Sequence, residues 1–110
     1  MKKLIWAVVI GVILAAVSAA AEDGGSIFKA NGCISCHRPT SSSKVNPSLT
    51  DIAQAYKGKE DQLLSYLKGE SNPIVRPEKA HIMKKHVKQT KALSDQDRKA
   101  LADFLLSYGK

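Results

Sequence analysis

Apolar positions in this chain recur at helical spacing, and no stretch alternates with the two-residue period of a half-buried strand. After Met1-Lys2-Lys3 comes an uncharged run, Leu4 to Ala21, closed by the small residues Ser18-Ala19-Ala20-Ala21 ahead of Glu22-Asp23. Beyond it, Ser26 to Gly32 predicts a short helix with Ser26 as N-cap, Ile27 and Phe28 on the apolar face and Gly32 as the stop. Arg38 to Pro47 holds four Ser/Thr and two Pro in ten residues without periodicity, which predicts a surface loop. A second helix is expected from Pro47, with Leu49, Ile52, Ala53 and Tyr56 at i, i+3, i+4 and i+7, ending at Gly58. Glu60 to Lys68 repeats the pattern through Leu63, Leu64 and Leu67, with acids in the first turn and Gly69 at the C-cap. Glu70 to Arg76 is a second loop, broken by Pro73 and Pro77. Glu78 to Lys88 is expected to give only one or two helical turns, because six basic or His positions blur the face of Ala80, Met83 and Val87. The last helix is signalled best: Ser94-Asp95-Gln96-Asp97 resembles a capping box, and Leu101, Phe104, Leu105 and Tyr108 form its stripe. The predicted fold class is all-α.

The basic start, apolar run and small residues form a secretory signal pattern, most simply cut after Ala21. The run is also about long enough to cross a bilayer, so an uncleaved amino-terminal membrane anchor is the alternative. Residues 1–21 are read as this leader and residues 22–110 as the functional domain, exported to the periplasm. Loss of Lys2 and Lys3 lowers the formal charge from +7 to +5, and the lone tryptophan, Trp6, goes with them. The remaining 89 residues are few for a single apolar core, which points to a cofactor, metal or disulfide that completes it.

Only two cysteines occur, Cys33 and Cys36, so no disulfide framework links distant segments. Cys33-Ile34-Ser35-Cys36-His37 has the C-x-x-C-H spacing of c-type haem attachment. Residues i and i+3 lie on one side of a helical turn, which lets both sulfurs form thioethers along one porphyrin edge, with His37 under the iron as an axial imidazole. A thiol-disulfide oxidoreductase would need a preceding strand in a βαβ frame. A structural zinc site would need four protein ligands, and this triplet is too crowded to close a tetrahedron with a distant His81 or His86.

With this motif stand Ile27-Phe28-Lys29 before Gly32, Asn46-Pro47-Ser48-Leu49, and Leu93-Ser94-Asp95 with Ala100-Leu101-Ala102-Asp103-Phe104. Across residues 23–110 the chain resembles a small bacterial monohaem class I cytochrome c. The resemblance implies four to five helices around one covalent haem c, crossed first and last helices with Phe28 against Leu101 and Phe104, and a Pro47 carbonyl accepting a hydrogen bond from the His37 ring. It also implies a methionine ligand towards the carboxyl terminus. Met83 is the sole thioether left after the leader, with His81 and His86 as rivals. The Pro often found close after that methionine is replaced here by Lys84-Lys85. No tryptophan remains to face a haem propionate, so Tyr56 or Arg76 is expected to substitute as donor. Arg98 stands where an apolar residue is frequent and is expected on a solvent-facing edge.

The haem faces are expected to pack on Ile27, Leu49, Ile52, Leu63, Leu67 and Leu105. With His37 and Met83 both bound, iron has no open position, so the expected function is one-electron transfer and not catalysis. The alternative is a haem-based sensor or catalyst with an open or labile sixth position. Lys29, Lys44, Lys84, Lys85, Lys88 and Lys91 are expected to steer a monomeric carrier to acidic redox partners. No aromatic or helix-turn-helix pattern supports nucleic-acid binding.

Overall fold

Asp23, not Ser26, opens the first helix: its carboxylate accepts from the Ser26 backbone N–H at 3.2 Å and holds the N-terminus of α1, Gly24–Ala30. The carboxylate answers an exposed N–H group and the positive end of the helix together. The computed structural model describes residues 23–109. Within them α1 is followed by a 3₁₀ turn at Cys33–Ser35 and then by α2, Leu49–Ala55, and α3, Glu60–Leu67. A second 3₁₀ turn at Pro77–Lys79 leads into α4, Ala80–Lys91, then α5, Asp95–Leu106, and a last 3₁₀ turn at Ser107–Gly109. No strand occurs among the described residues, and none of their helices is long and apolar enough to cross a membrane. The leader lies outside the described residues.

The first and last helices make the main packing contact. They approach so closely that a Cβ on Gly24 would sit 2.2 Å from the Ala100 carbonyl oxygen and 2.7 Å from the Phe104 Cβ. Phe28 and Phe104 stack at a ring-centroid distance of 5.2 Å, and Tyr108 meets Phe104 edge-on at 5.4 Å. Ile27, Leu49, Leu63 and Leu101 are fully enclosed between these helices and α2 and α3.

Two elements depart from the sequence reading. The second helix starts at Leu49, two residues after Pro47, because the Ser48 hydroxyl is the N-cap and accepts from Asp51 N–H at 3.0 Å. The fourth helix runs 12 residues, well past the one or two turns expected. Its basic residues Lys84, Lys85, Lys88 and Lys91 are exposed, so they blur the sequence pattern without opposing the helix. Lys88 and Lys91 sit in the last turn, where positive charge suits the helix dipole. Near the same end the buried Thr90 hydroxyl donates to the Leu67 carbonyl at 2.6 Å, tying α4 to α3.

The expectation of a solvent-facing Arg98 is overturned. Arg98 is 5% exposed and donates through Nε to the Thr90 carbonyl at 3.0 Å and through Nη2 to the Lys91 carbonyl at 2.8 Å and the Leu93 carbonyl. Its Nη1 pairs with Asp95 at 2.7 Å. The guanidinium thus adds a donor to carbonyls at and just beyond the end of α4, where helical partners run out, and it sets the turn into α5.

Candidate cofactor site

The Cys-Ile-Ser-Cys-His segment is shaped by its own backbone. Gly32 adopts φ +73°, a left-handed conformation that ends α1 and turns the chain away from it. The following turn closes with Cys36 N–H and His37 N–H both donating to the Cys33 carbonyl, at 3.2 and 2.9 Å. Cys36 is exposed and Cys33 half-buried, and burial raises the Cys33 thiol pKa above its ordinary value. His37, 9% exposed, turns inward with its Nδ1 2.9 Å from the Pro47 carbonyl oxygen. That contact fixes the tautomer with the proton on Nδ1 and leaves Nε2 as the basic nitrogen.

Two loops complete the enclosure. The 38–47 loop is pinned at its ends by Leu49 N–H to the Arg38 carbonyl at 2.8 Å and Thr50 N–H to the Pro39 carbonyl at 3.2 Å. These bonds place Pro47 against His37. In the 70–76 loop, Ile74 N–H donates to the Tyr56 hydroxyl at 3.3 Å, and Tyr56 is 1% exposed. Arg76 takes φ 51° immediately before Pro77, and its Nη2 donates to the Ser43 carbonyl at 2.9 Å, bridging the two loops.

Cys33, Cys36, His37, Pro47 and Met83 all line one cavity of about 280 Å³, so the structure gathers every site residue expected from the sequence. Of the two rival histidines, His86 also lines it and is half-buried, whereas His81 is exposed and does not. Ile52, Leu63, Leu67 and Leu105 lie on its walls as expected. Ile27 and Leu49 do not; they are spent in the packing of α1, α2 and α5. Phe28, Tyr66, Val75 and Leu101 are walls that were not anticipated. Tyr66 is desolvated there, which pushes its phenol pKa up to about 12. None of the six lysines expected to steer redox partners lines the cavity, although all are exposed; the lysine that does line it is Lys79.

A haem demands an apolar cleft, two sulfurs at its wall, an imidazole with a free nitrogen, and a donor for its acidic side arms. Each is present. The walls are mostly aliphatic and aromatic, His37 offers Nε2, and the Arg76 Nε is buried in the wall without a hydrogen-bond partner. No group of three or more His, Cys, Asp or Glu side chains placed to hold a metal ion occurs among the described residues.

The sequence model of the family described as cytochrome c matches residues 21–109. No curated protein matches the chain.

Proposed function

The chain belongs to the cytochrome c family, a family of haem-based electron carriers, and from that premise we propose a one-electron shuttle whose iron is held between His37 and Met83. Covalently bound haem c is the family's cofactor, and Cys33 and Cys36 stand in its attachment motif. The observation that carries the reading is the buried His37, oriented by the Pro47 carbonyl at 2.9 Å within the same cavity that Met83 lines. When bound, the cofactor supplies a reversible one-electron change at iron.

The protein's own residues set the terms of that change. His37, its Nδ1–H engaged by Pro47, presents a strengthened imidazole donor. The Met83 thioether is a soft ligand that favours ferrous iron and so raises the potential. Ile52, Leu63, Leu67 and Leu105 exclude water, which penalises the net charge that oxidation adds. Two ligands from the chain leave no position for oxygen or a substrate, in keeping with a family whose members generally carry electrons and are not enzymes. Val45 and Ile82, 38% and 40% exposed, lie on the cavity's lining and offer an apolar contact for a redox partner. The exposed Lys44 adjoins Val45 in sequence, the exposed Lys84 and Lys85 follow closely on Ile82, and all three suit an acidic rim on that partner. The leader pattern supports export to the periplasm as a monomeric carrier, or tethering to the inner membrane if the leader is retained.

The test is the visible spectrum of the ferric holoprotein, made in a host with c-type maturation, and of Met83→Ala. A weak red charge-transfer band that vanishes in the variant is the expected result. His86 supports a second ligation, because it lines the same cavity one turn after Met83. A low-spin spectrum without the band would establish that alternative, and a high-spin one would establish an open iron and the sensor or catalyst reading.

A further inference from the structure

The three histidines are used differently by the fold. His37 is held by the Pro47 carbonyl at 2.9 Å, and His81 is exposed and lies outside the cavity lining. His86 is half-buried on the cavity wall, and neither of its ring nitrogens has a hydrogen-bond or ion-pair partner among the described residues. A neutral imidazole left unpaired in a mostly apolar wall keeps a nitrogen lone pair available to a metal. His86 stands three residues after Met83 on α4, on the same face and about 4.5 Å further along the axis. Side chains on a helix lean back over the preceding turn, and for His86 that turn is the one that carries Met83. The two ends of α4 are held unequally. Thr90 is fixed by its hydroxyl to the Leu67 carbonyl at 2.6 Å and by its carbonyl to the Arg98 Nε at 3.0 Å, so the helix does not slide as a whole. Its first turn has neither a side-chain cap nor an acidic residue. Opening is therefore confined to the residues before Thr90, and both Met83 and His86 are among them.

We propose that His86 is the successor ligand to Met83: when the first turns of α4 give way and the thioether leaves ferric iron, His86 moves into the vacated position. The Met83 sulfur withdraws one lone pair, a neutral His86 ring nitrogen supplies another, and no electron or proton changes hands. The inference rests on the reading with Met83 as resident ligand and adds a second state to it. In that state the iron stays closed to small molecules. With nitrogen in place of sulfur it also favours the ferric form, which makes the carrier a weaker electron acceptor. The half-helix that opens is the part of α4 that nothing but its own hydrogen bonds and the Met83 bond would fasten.

The measurement is the visible and electron paramagnetic resonance spectrum of four ferric holoproteins: wild type, Met83→Ala, Met83→Ala/His86→Phe and Met83→Ala/His81→Gln. The wild type is expected to show the thioether charge-transfer band. Met83→Ala is expected to lose the band yet stay low-spin with the signature of two imidazoles. Adding His86→Phe should turn it high-spin, and adding His81→Gln should not. A high-spin Met83→Ala would overturn the succession, and so would a low-spin Met83→Ala/His86→Phe, whose ligand would have to come from elsewhere. If the His86→Phe double variant fails to fold, nitrogen magnetic resonance of Met83→Ala/His81→Gln, labelled in its histidine rings, decides, because only His37 and His86 remain. Two iron-bound imidazoles support the successor, and one refutes it. A wild type that already has two imidazole ligands and no thioether band would overturn Met83 as resident ligand and the succession with it. A blank pyridine haemochrome spectrum of the wild type would instead refute the haem reading itself.

Discussion

Replacing Arg98 by Met keeps the apolar stem and removes the guanidinium from the end of α4. Three carbonyls then each lose a donor: Thr90, in a buried contact, and Lys91 and Leu93, in part-buried ones. The Thr90 carbonyl keeps the Leu93 N–H at 3.2 Å but loses a second, charged donor in a buried setting, at about 1–2 kcal/mol, while the other two rehydrate at about 0.5–1 kcal/mol each. The Asp95 pair adds little, since the Asp95 side chain is 92% exposed and the interaction is screened. Relief of the guanidinium's own desolvation offsets part of the loss, leaving about 2 kcal/mol. That is a large share of the ~5–15 kcal/mol typical of a domain. Urea unfolding of the holoprotein, followed by far-UV circular dichroism, should show a lower midpoint at unchanged slope. Asp95→Asn should lie within about 0.5 kcal/mol of wild type. An Arg98→Met protein as stable as wild type would refute the claim that these carbonyls depend on the guanidinium. So would an Asp95→Asn loss as large as the Met variant's, which would place the energy in the exposed ion pair.

Gly24→Ala is expected to cost about 2–3 kcal/mol, read as a fall in melting temperature, because its Cβ would meet backbone at 2.2 Å and α1 and α5 must separate; an unchanged melt would refute the close crossing. Thr90→Val removes a hydroxyl that donates to the Leu67 and Val87 carbonyls at 2.6 and 3.1 Å, with an expected loss of about 1–2 kcal/mol in the same urea assay. The Asp51 carboxyl is held below the usual carboxylate range, first by the Ser42 hydroxyl and further by the Ser48 contacts and the nearby Arg76. A depressed folded value gives stability that is present above the unfolded pKa and lost as pH falls through the folded one. Asp51→Asn should therefore flatten the stability-pH curve below about pH 4, by less than about 1 kcal/mol at this exposed site.

The elements legible in the sequence are those whose signals are local. Ser94 and Leu101 to Tyr108 announce α5, and the observed Ser94 hydroxyl accepting from Asp97 N–H at 3.1 Å is the capping contact the pattern encodes. The C-x-x-C-H segment is legible for the same reason, since its attachment chemistry needs neighbours in sequence. What was missed is held from a distance. Arg98 reads as a surface cation because its acceptors are carbonyls, which no side-chain pattern reports. The length of α4 is hidden because its support comes from Leu67 and Arg98 and not from an apolar stripe of its own. Asp23 and Ser26 are both good caps, and nothing local ranks them. Ile27 and Leu49 were placed against the cofactor on hydrophobicity alone, which says that a residue is buried but not against what.

The supports of α4 are unevenly distributed along it, and this bears on how the proposed Met83 ligand is held. Its C-terminal end is clasped by Thr90 to Leu67 and by the Arg98 guanidinium. Its N-terminal half has no side-chain cap and begins after a 3₁₀ turn, and its inward residues Ala80, Met83 and His86 all face the cavity. A short, strongly basic helix has little intrinsic stability in such a half. The bond from Met83 to iron would then be its main fastening, so Met83→Ala should loosen one half of the helix and spare the other. In hydrogen exchange of the ferrous holoproteins, the amides of Lys84 to His86 should lose protection by tenfold or more in the variant, while those of Gln89 to Lys91 stay within about twofold. Uniform loss along the helix would mean that α4 opens as one unit, and unchanged protection throughout would mean that the walls around Met83 hold it without the ligand.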